Sequence, residues 1–170
     1  MANTALTGAN ASIQVSSPAF GYNQPLPRRY TADAEGISPP LQWAGVPTDA
    51  TTIVLLIEDA DSPTPLPVVH GMVWDLPGVD GSLPEGALAS TTAEPSSAAM
   101  GKNSLFRATY LPPDPPPGHG VHRYVFELFA LDEVLRFDSP PGRHALARAL
   151  SGHVIAKGLL IGTYARRGSE

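Results

Sequence analysis

The stretch from His119 to Phe126 holds the residue types in this chain that are best suited to binding chemistry. It reads His-Gly-Val-His-Arg-Tyr-Val-Phe, an alternation typical of a β-strand. Successive side chains of a strand point to opposite faces, so we expect His122 and Tyr124 on one face and Arg123 on the other. An imidazole and a phenol placed side by side can hydrogen-bond a small polar or anionic group. The sequence therefore predicts a preformed binding site on this strand.

Two other segments are expected to contribute to the same site. Asp59 and Asp61 follow an apolar run without proline at residues 52–57, which is typical of a buried strand. His70 lies at the start of a second strand candidate, residues 69–76. Each of these polar side chains stands at a strand edge or in an adjacent loop. We therefore expect the carboxylates and the imidazoles to meet at one end of a sheet.

The predicted chemistry of this site is anion binding. Two imidazoles near two carboxylates are expected to have raised pKa values, so that protonated histidines donate hydrogen bonds to an anion. Carboxylates lining the pocket would repel that anion, so we expect at least one aspartate to lie behind a histidine and orient its ring. The rigid Pro-Pro-Pro-Gly run at residues 115–118 could form a pocket wall. Phosphate monoesters fit best, with sulfate, carboxylates and phosphoethanolamine-type head groups as related ligands.

Several motifs in a fixed order give the chain a family resemblance. They are residues 38–43 (Ser-Pro-Pro-Leu-Gln-Trp), 59–63 (Asp-Ala-Asp-Ser-Pro), His70 with its strand and Leu76-Pro77, 115–118, 122–124 (His-Arg-Tyr), 152–154 and 162–164. With these motifs the chain resembles the phosphatidylethanolamine-binding proteins, also called Raf kinase inhibitor-like proteins, and in particular their short bacterial branch. The resemblance implies an antiparallel β-sandwich with Greek-key connections and one or two short helices. It also implies an anion-binding pocket formed by Asp59, Asp61, His70, His122 and Tyr124, with Pro116 in its wall.

Composition and charge exclude several classes of function. The formal net charge is -5, and no Lys/Arg cluster is longer than Arg166-Arg167, which argues against a nucleic-acid partner. Without cysteine the chain has no disulfide, thiol nucleophile or cysteine-bound zinc. The first residues lack the basic and apolar regions of a signal peptide, and no apolar run reaches the roughly 18 residues of a membrane span. We expect a cytoplasmic protein with one domain over residues 1–170 and no transmembrane segment.

Short apolar stretches separated by proline, glycine and serine predict an all-β domain. The 19 prolines are expected in loops, because proline cannot sit inside a central strand. A helix is predicted over residues 142–150, where alanine and leucine recur at helical spacing before Gly152. Residues 96–102 are expected to add a turn. The strand candidates lie near residues 11–16, 41–43, 51–58, 70–76, 104–110, 121–131 and 154–164.

Other kinds of site use the same residue types. The two histidines and two aspartates are acceptable ligands for zinc or iron, but no His-x-x-x-His spacing supports a metal centre, and no cofactor is predicted. Ser62 lies near Asp61 without the glycine-flanked turn of a serine nucleophile. Acid/base catalysis by His70, His122 and Asp59, as in a hydrolase or an isomerase, stays open. The leading hypothesis is a phospho-ligand-binding module that could regulate a protein partner.

Some of these residues also have a purely structural interpretation. Asp61 precedes a Ser-Pro pair, a natural setting for an aspartate that hydrogen-bonds a turn. Arg123 is expected to pair with an acid such as Glu127 or Asp132, or to pack under a loop, and His119 to be solvated. The resemblance implies a C-terminus without the extra helix that covers sheet and pocket edges in animal members of the family, and exposed apolar edges tend to be buried by a partner. We therefore predict a homodimer.

Overall fold

The computed structural model describes residues 11–89 and 99–167. Within these ranges the chain forms ten strands, one α-helix and a 3-10 turn at Arg28–Tyr30. In chain order the elements are β1 (Ala11–Ser12), β2 (Gln14–Ser16), β3 (Gln24–Pro25), β4 (Leu41–Ala44), β5 (Thr52–Asp59), β6 (Val68–Pro77), β7 (Gly81–Leu83), β8 (Ala99–Met100), β9 (His122–Leu131), α1 (Arg143–Leu150) and β10 (Val154–Tyr164). In this part of the chain, no helix has the length and apolar character needed to cross a membrane.

Seven of the strands form one large sheet in the order β1-β10-β9-β5-β6-β8, with β3 also paired to β10. Its central strand pairs are antiparallel, as expected. The two-residue strands β1 and β3 instead pair with β10 in parallel. Strands β2, β4 and β7 form a second, antiparallel sheet. The chain leaves β6 and returns as β9 on the far side of β5, a crossing connection that a simple meander lacks.

The main hydrophobic core lies between the two sheets. Leu41 and Trp43 of β4 belong to the same buried cluster as Leu55 on the inner face of the large sheet. Every residue of β5 is buried, because the other face of this strand is covered as well. There α1 contributes Leu146 and Leu150 to a second buried cluster. The two sheets and the one α-helix of the described residues confirm the predicted all-β class with few helices.

Most predicted elements are confirmed. The strand predicted near 121–131 is β9, and the helix predicted at 142–150 is α1. The strand predicted at residues 104–110 is wrong, because this segment forms turns. The turn predicted at residues 96–102 lies partly outside the described residues, and its described part contains β8.

Asn103 explains why residues 104–110 do not form a strand. Its buried side chain accepts hydrogen bonds from the backbone N–H groups of Leu105 (2.9 Å) and Arg107 (3.2 Å). Its amide also donates to the carbonyl oxygen of Thr109 at 2.9 Å. These bonds replace the partners that a neighbouring strand would supply. Phe106 then adopts a left-handed backbone conformation, with φ of 61°, which a strand does not allow.

The register of the large sheet brings the polar residues of the sequence motifs together. Asp59, the last residue of β5, is paired with Tyr124 on β9 and with Val68 at the start of β6. His122, the first residue of β9, is paired with Tyr164 on β10. Along β9 His122 and Tyr124 are buried, whereas Arg123 between them is exposed. The predicted alternation is therefore confirmed, and three strand ends meet at one edge.

Candidate functional site

A cavity of about 260 Å³ lies at this edge of the large sheet. Five of the six residues predicted for the site line it, and they are Asp59, His70, Pro116, His122 and Tyr124. Asp61 is not among the lining residues. The loops after β5 and before β9 complete the wall with small and apolar side chains and with Asp114. The cavity therefore has a polar floor of buried strand residues and a largely apolar rim.

Asp59 orients His122. Oδ2 of Asp59 accepts a hydrogen bond from Nδ1 of His122 at 2.7 Å, and both side chains are buried. The other carboxylate oxygen, Oδ1, accepts from the backbone N–H of Asp61 at 2.9 Å. Both oxygens of Asp59 are thus engaged within the protein. This is the arrangement expected from the sequence, in which an aspartate lies behind a histidine and fixes its ring.

His119 contacts the other nitrogen of His122, a contact that sequence reasoning missed. Nδ1 of His119 lies 2.7 Å from Nε2 of His122, although His119 itself is exposed as expected. A tight turn brings it there: the backbone N–H of His119 donates to the carbonyl oxygen of Pro116 at 3.2 Å. Gly118 adopts φ of 74° within that turn. Proline followed by glycine in the middle of a turn is the pattern of a type II turn, and this signal was present in the sequence.

His70 differs in protonation from what the sequence suggested. Its Nδ1 donates to the carbonyl oxygen of Leu111 at 2.7 Å. Its Nε2 is buried and has no hydrogen-bond partner among the described residues. Burial lowers the pKa of His70, and this effect outweighs the opposing contributions of the Leu111 carbonyl and the Asp59 carboxylate. The raised pKa expected for this histidine is therefore wrong, because desolvation was not visible in the motif.

Tyr124 lies between the two histidines. Its ring centroid is 5.2 Å from that of His70, in an edge-to-face arrangement, and 6.4 Å from that of His122. The residue is completely buried, and in the described part of the chain its hydroxyl has no hydrogen-bond partner. Burial, followed by the negative charge of Asp59, raises the pKa of this phenol well above its ordinary value. Tyr124 therefore keeps its proton at physiological pH.

Asp61 points to Arg123 rather than into the cavity. Its carboxylate accepts hydrogen bonds from the backbone N–H, Nε and Nη2 of Arg123, each at 2.8 Å. These bonds lower the pKa of Asp61. Arg123 therefore pairs with an acid, as expected, but the acid is Asp61 rather than Glu127 or Asp132. The purely structural interpretation of Asp61 agrees with this geometry.

Arg166 holds the proline wall in place, a role that the sequence did not reveal. Its guanidinium contacts the carboxylates of Asp33 (2.6 Å) and Asp114 (2.5 Å) and donates to the carbonyl oxygen of Pro115 at 3.3 Å. Its own carbonyl oxygen accepts from the backbone N–H of Gly118 at 3.1 Å. Asp33 is 133 positions away in the chain, so no local pattern could have linked the two residues.

Among the described residues, the geometry does not support two of the other kinds of site, a metal centre and a serine nucleophile. Within residues 11–89 and 99–167, no group of three or more His, Cys, Asp or Glu side chains could hold a metal ion. The hydroxyl of Ser62 donates to the carbonyl oxygen of Asp59 at 3.2 Å and accepts from the backbone N–H of Val68 at 3.2 Å. These backbone contacts are those of a loop-forming serine. A serine nucleophile would instead hydrogen-bond a histidine.

Comparison with known proteins identifies the family. The model of the phosphatidylethanolamine-binding protein family matches residues 16–165. The chain belongs to this family. Among its relatives, a UPF0098 protein of Pyrococcus horikoshii is 36% identical over 157 residues, covering 92% of this chain and 78% of the relative. A UPF0098 protein of Chlamydia trachomatis is 37% identical over 156 residues, covering 89% of this chain and 98% of the relative.

Solved structures of the family share this fold. The crystal structure of a putative phosphatidylethanolamine-binding protein homologue from Chlamydia trachomatis is similar with a TM-score of 0.79 and 37% identity, over 90% of this chain and 97% of that one. Escherichia coli YbcL, described as a new member of the mammalian phosphatidylethanolamine-binding protein family, is similar with a TM-score of 0.83 and 26% identity. The similarity covers 91% of this chain and 99% of YbcL. The family resemblance predicted from the motifs is confirmed.

Proposed function

We propose that the protein binds a small phosphate-type anion, in its singly protonated form, in the cavity at the end of the large sheet. The observation that supports this most is a pair of buried polar atoms, Nε2 of His70 and the hydroxyl of Tyr124, which have no partner among the described residues. Both residues line the cavity. An unpaired buried polar atom costs about 1–3 kcal/mol. A ligand that pairs with both atoms would recover this free energy on binding.

Of these two atoms, Nε2 of His70 is a hydrogen-bond acceptor and the hydroxyl of Tyr124 is a donor. A carbonyl oxygen only accepts, so Nδ1 of His70 carries the ring proton toward Leu111, and Nε2 of the neutral ring is an acceptor. The lowered pKa of His70 favours this neutral ring. The raised pKa of Tyr124 keeps its hydroxyl available as a donor. The matching ligand carries both a donor and an acceptor, as the P–OH and P–O groups of a phosphate monoester do.

The charge around the cavity favours the singly charged ligand. The carboxylates of Asp59 and Asp114 both belong to its lining. Arg166 contacts the Asp114 carboxylate but is not among the residues that line the cavity. A second negative charge on the ligand would be repelled by both carboxylates. A monoanion with one remaining proton therefore fits the site better than a dianion does.

Methyl phosphate and methyl sulfate provide a matched test. Near pH 5, about one unit below the second pKa of a phosphate monoester, both carry about one negative charge and have similar shapes, but only methyl phosphate keeps a proton to donate to Nε2 of His70. We expect methyl phosphate to bind at least about tenfold more tightly in titration calorimetry, because a site built around a hydrogen bond rejects an analogue that lacks it. Equal affinities would contradict the protonated-ligand proposal. No heat with either compound would contradict anion binding in this cavity.

Two variants complete the test. In His70→Asn the side-chain amide can still donate to the carbonyl oxygen of Leu111, but the acceptor at the position of Nε2 is lost. We expect this variant to bind the two esters with similar, weak affinity. His144→Gln, which changes an exposed histidine on α1, is the matched control and should behave as the wild type.

The affinity for methyl phosphate should also depend on pH. A phosphate monoester loses its second proton at a pKa of about 6, so the protonated ligand becomes more abundant as pH falls from about 8 to about 5. We expect tighter apparent binding over that range. Methyl sulfate, which does not titrate there, should show no such gain. An affinity for methyl phosphate that is constant with pH would overturn this part of the proposal.

Acid/base catalysis is the second candidate, supported by the hydrogen bond between Asp59 and His122. Such a pair is the arrangement of a general base, as in a hydrolase or an isomerase. The test is a long incubation with phosphate esters and small carboxylic esters, followed by phosphorus and proton NMR. We expect no turnover. A product formed by the wild type and not by His122→Ala would replace the binding proposal with the catalytic one.

Two expectations from the sequence stay predictions. A homodimer should appear in light scattering at high micromolar concentration as a species heavier than the 17.8 kDa chain. A cytoplasmic location should appear in cell fractionation of the native host. Only the 17.8 kDa species, or recovery in another fraction, would remove the respective prediction.

A further inference from the structure

Asp59, His122 and His119 form a hydrogen-bonded chain that runs in one direction. The two links, from Oδ2 of Asp59 to Nδ1 of His122 and from Nε2 of His122 to Nδ1 of His119, are both 2.7 Å long. A carboxylate only accepts, so Nδ1 of His122 donates. When both rings are neutral, Nε2 of His122 must then accept, and Nδ1 of His119 must donate. The remaining nitrogen, Nε2 of His119, therefore carries the lone pair.

This lone pair belongs to His119, the exposed end of the hydrogen-bonded chain. His122 is 1% exposed and Asp59 is 5% exposed, whereas His119 is an exposed residue. The structure thus fixes the tautomer of a surface histidine through two buried residues. A hydrogen bond from one imidazole nitrogen to a basic partner increases the electron density on the other nitrogen. His119 is consequently expected to be a stronger nucleophile than an ordinary surface imidazole.

The other histidines differ from His119 in this respect. His70 and His122 are buried, which prevents attack on a large reagent. His153 has Nδ1 at 3.0 Å from Asp132 and Nε2 at 3.0 Å from Glu133, so both its nitrogens face carboxylates. His144 on α1 is exposed, and no side-chain partner fixes its tautomer in the contacts that the structure shows. His144 is therefore an internal reference for an ordinary imidazole.

We propose that Nε2 of His119 is an activated nitrogen nucleophile that accepts a phosphoryl group from a donor with a good leaving group, such as a phosphoramidate or an acyl phosphate. This role does not depend on phosphate binding in the cavity. His119 is the acceptor, and His122 and Asp59 are positioning residues. The turn from Pro116 to His119 holds the acceptor ring against His122.

The transfer from phosphoramidate balances with groups that are present. The lone pair of Nε2 forms a bond to phosphorus, and the bond between phosphorus and the ammonium nitrogen of the donor breaks, releasing ammonia with the electron pair. The positive charge that develops on the His119 ring is relieved when its Nδ1 proton moves to Nε2 of His122. The resulting imidazolium of His122 is stabilised by its hydrogen bond to Asp59.

The test compares histidines within one protein. The wild type is incubated with phosphoramidate near pH 8, and the phosphorylation rate of each histidine is measured by peptide mass spectrometry at alkaline pH, with phosphorus NMR of the intact protein. We expect His119 to react about tenfold faster than His144, the range in which a second residue behind a histidine changes its reactivity. His153 should react more slowly than His144. Reaction of His119 at or below the rate of His144 would overturn the proposal.

Asp59→Asn is the variant that separates activation from simple exposure. It retains the size of the side chain and removes the charge behind His122, so the rate at His119 should fall to that at His144, while the rate at His144 itself should not change. Circular dichroism verifies the fold of the variant. An unchanged phosphorylation rate at His119 in folded Asp59→Asn would refute the role of the hydrogen-bonded chain. If the variant does not fold, the ratio of the phosphorylation rates of His119 and His144 in the wild type tests the proposal instead. Carbethoxylation by diethyl pyrocarbonate should give the same order of reactivity.

Discussion

Glu58 and Asp59 are neighbours on β5, yet they lie on opposite faces of the large sheet and serve different purposes. Both are buried, with 7% and 5% of their surface exposed. Asp59 on the inner face hydrogen-bonds His122 beside the cavity. Glu58 on the outer face accepts hydrogen bonds from Nε (2.7 Å) and Nη2 (3.4 Å) of Arg143 on α1. One carboxylate orients a histidine of the cavity, and the other attaches a helix to the sheet.

The outer face also holds a second acid whose charge is suppressed. Burial, followed by the nearby charge of Glu58, raises the pKa of Glu127 to about 7, against the opposing effects of Arg143 and Lys157. On this face the buried charges are compensated by protein groups or by a retained proton. On the inner face two polar atoms, on His70 and Tyr124, have no partner in the described part of the chain. Buried charge alone therefore does not distinguish the two faces, whereas the unpaired atoms of His70 and Tyr124 belong to residues that line a cavity, which supports the proposed site.

The largest expected effect on stability is at Asp59. Replacing it with Ala leaves buried His122 and the backbone N–H of Asp61 without an acceptor. We expect the free energy of unfolding to fall by about 3 kcal/mol in urea denaturation. Asp61→Ala is the control, because its pair with Arg123 is largely exposed, and it should cost less than about 1 kcal/mol. Equal losses in the two variants would contradict the distinction between a buried and a surface aspartate.

Arg143→Met tests the outer face. It keeps the aliphatic length of the side chain but leaves Glu58 without its cation. We expect a loss of about 2 kcal/mol in the free energy of unfolding, less than for a fully buried pair because Arg143 is 25% exposed. Binding of methyl phosphate should be unchanged, since the two faces are separated by the sheet. A large loss of affinity in a folded variant would show that the faces are coupled.

Glu127→Gln should stabilise the protein at alkaline pH. The pKa of Glu127 rises from 4.5 to about 7 on folding, so the folded state binds more protons in between, and the contribution of this group to stability is complete below pH 4.5 and lost as pH rises to about 7. Glutamine avoids that loss. We expect a gain of about 1–2 kcal/mol near pH 8 and none near pH 4, from thermal or urea unfolding at both values. A gain that is equal at the two pH values would contradict the raised pKa.

Tyr124→Phe should have the smallest effect on stability. We expect it to increase stability slightly and to weaken binding. The change removes a buried hydroxyl that lacks a partner, so we expect a gain of about 0.5–1 kcal/mol in the free energy of unfolding. The affinity for methyl phosphate should fall at the same time, because the donor is lost. A variant that is destabilised would show that the hydroxyl has a structural partner.

Local patterns predicted the parts of the molecule that depend on neighbours in the chain. The alternation along β9 correctly placed His122 and Tyr124 on one face and Arg123 on the other. The apolar run before Asp59 became β5, whose exit is beside the cavity. These predictions succeeded because the two-residue period of a strand is a property of the backbone alone.

Predictions failed where the pKa, the ion-pair partner or the local backbone structure depends on tertiary contacts. The pKa of His70 is lowered because burial desolvates the ring, which the motif around it does not show. The pairing of Arg123 with Asp61 joins residues 62 positions apart. The strand predicted at residues 104–110 is replaced by turns because one buried side chain, Asn103, supplies the hydrogen bonds of that segment. Sequence periodicity carries no information on these three interactions.

The contacts of Arg166 have a consequence for how relatives of this protein diverge. Asp33 and Arg166 lie 133 positions apart and together hold the loop that carries Pro115, so neither can change alone without loosening one wall of the cavity. Across an alignment of homologues the two positions should covary, and a relative without the arginine should also have lost the aspartate. Covariation of Asp33 and Arg166 would thus indicate in which relatives this wall of the cavity is held in the same way, although neither residue lines the cavity.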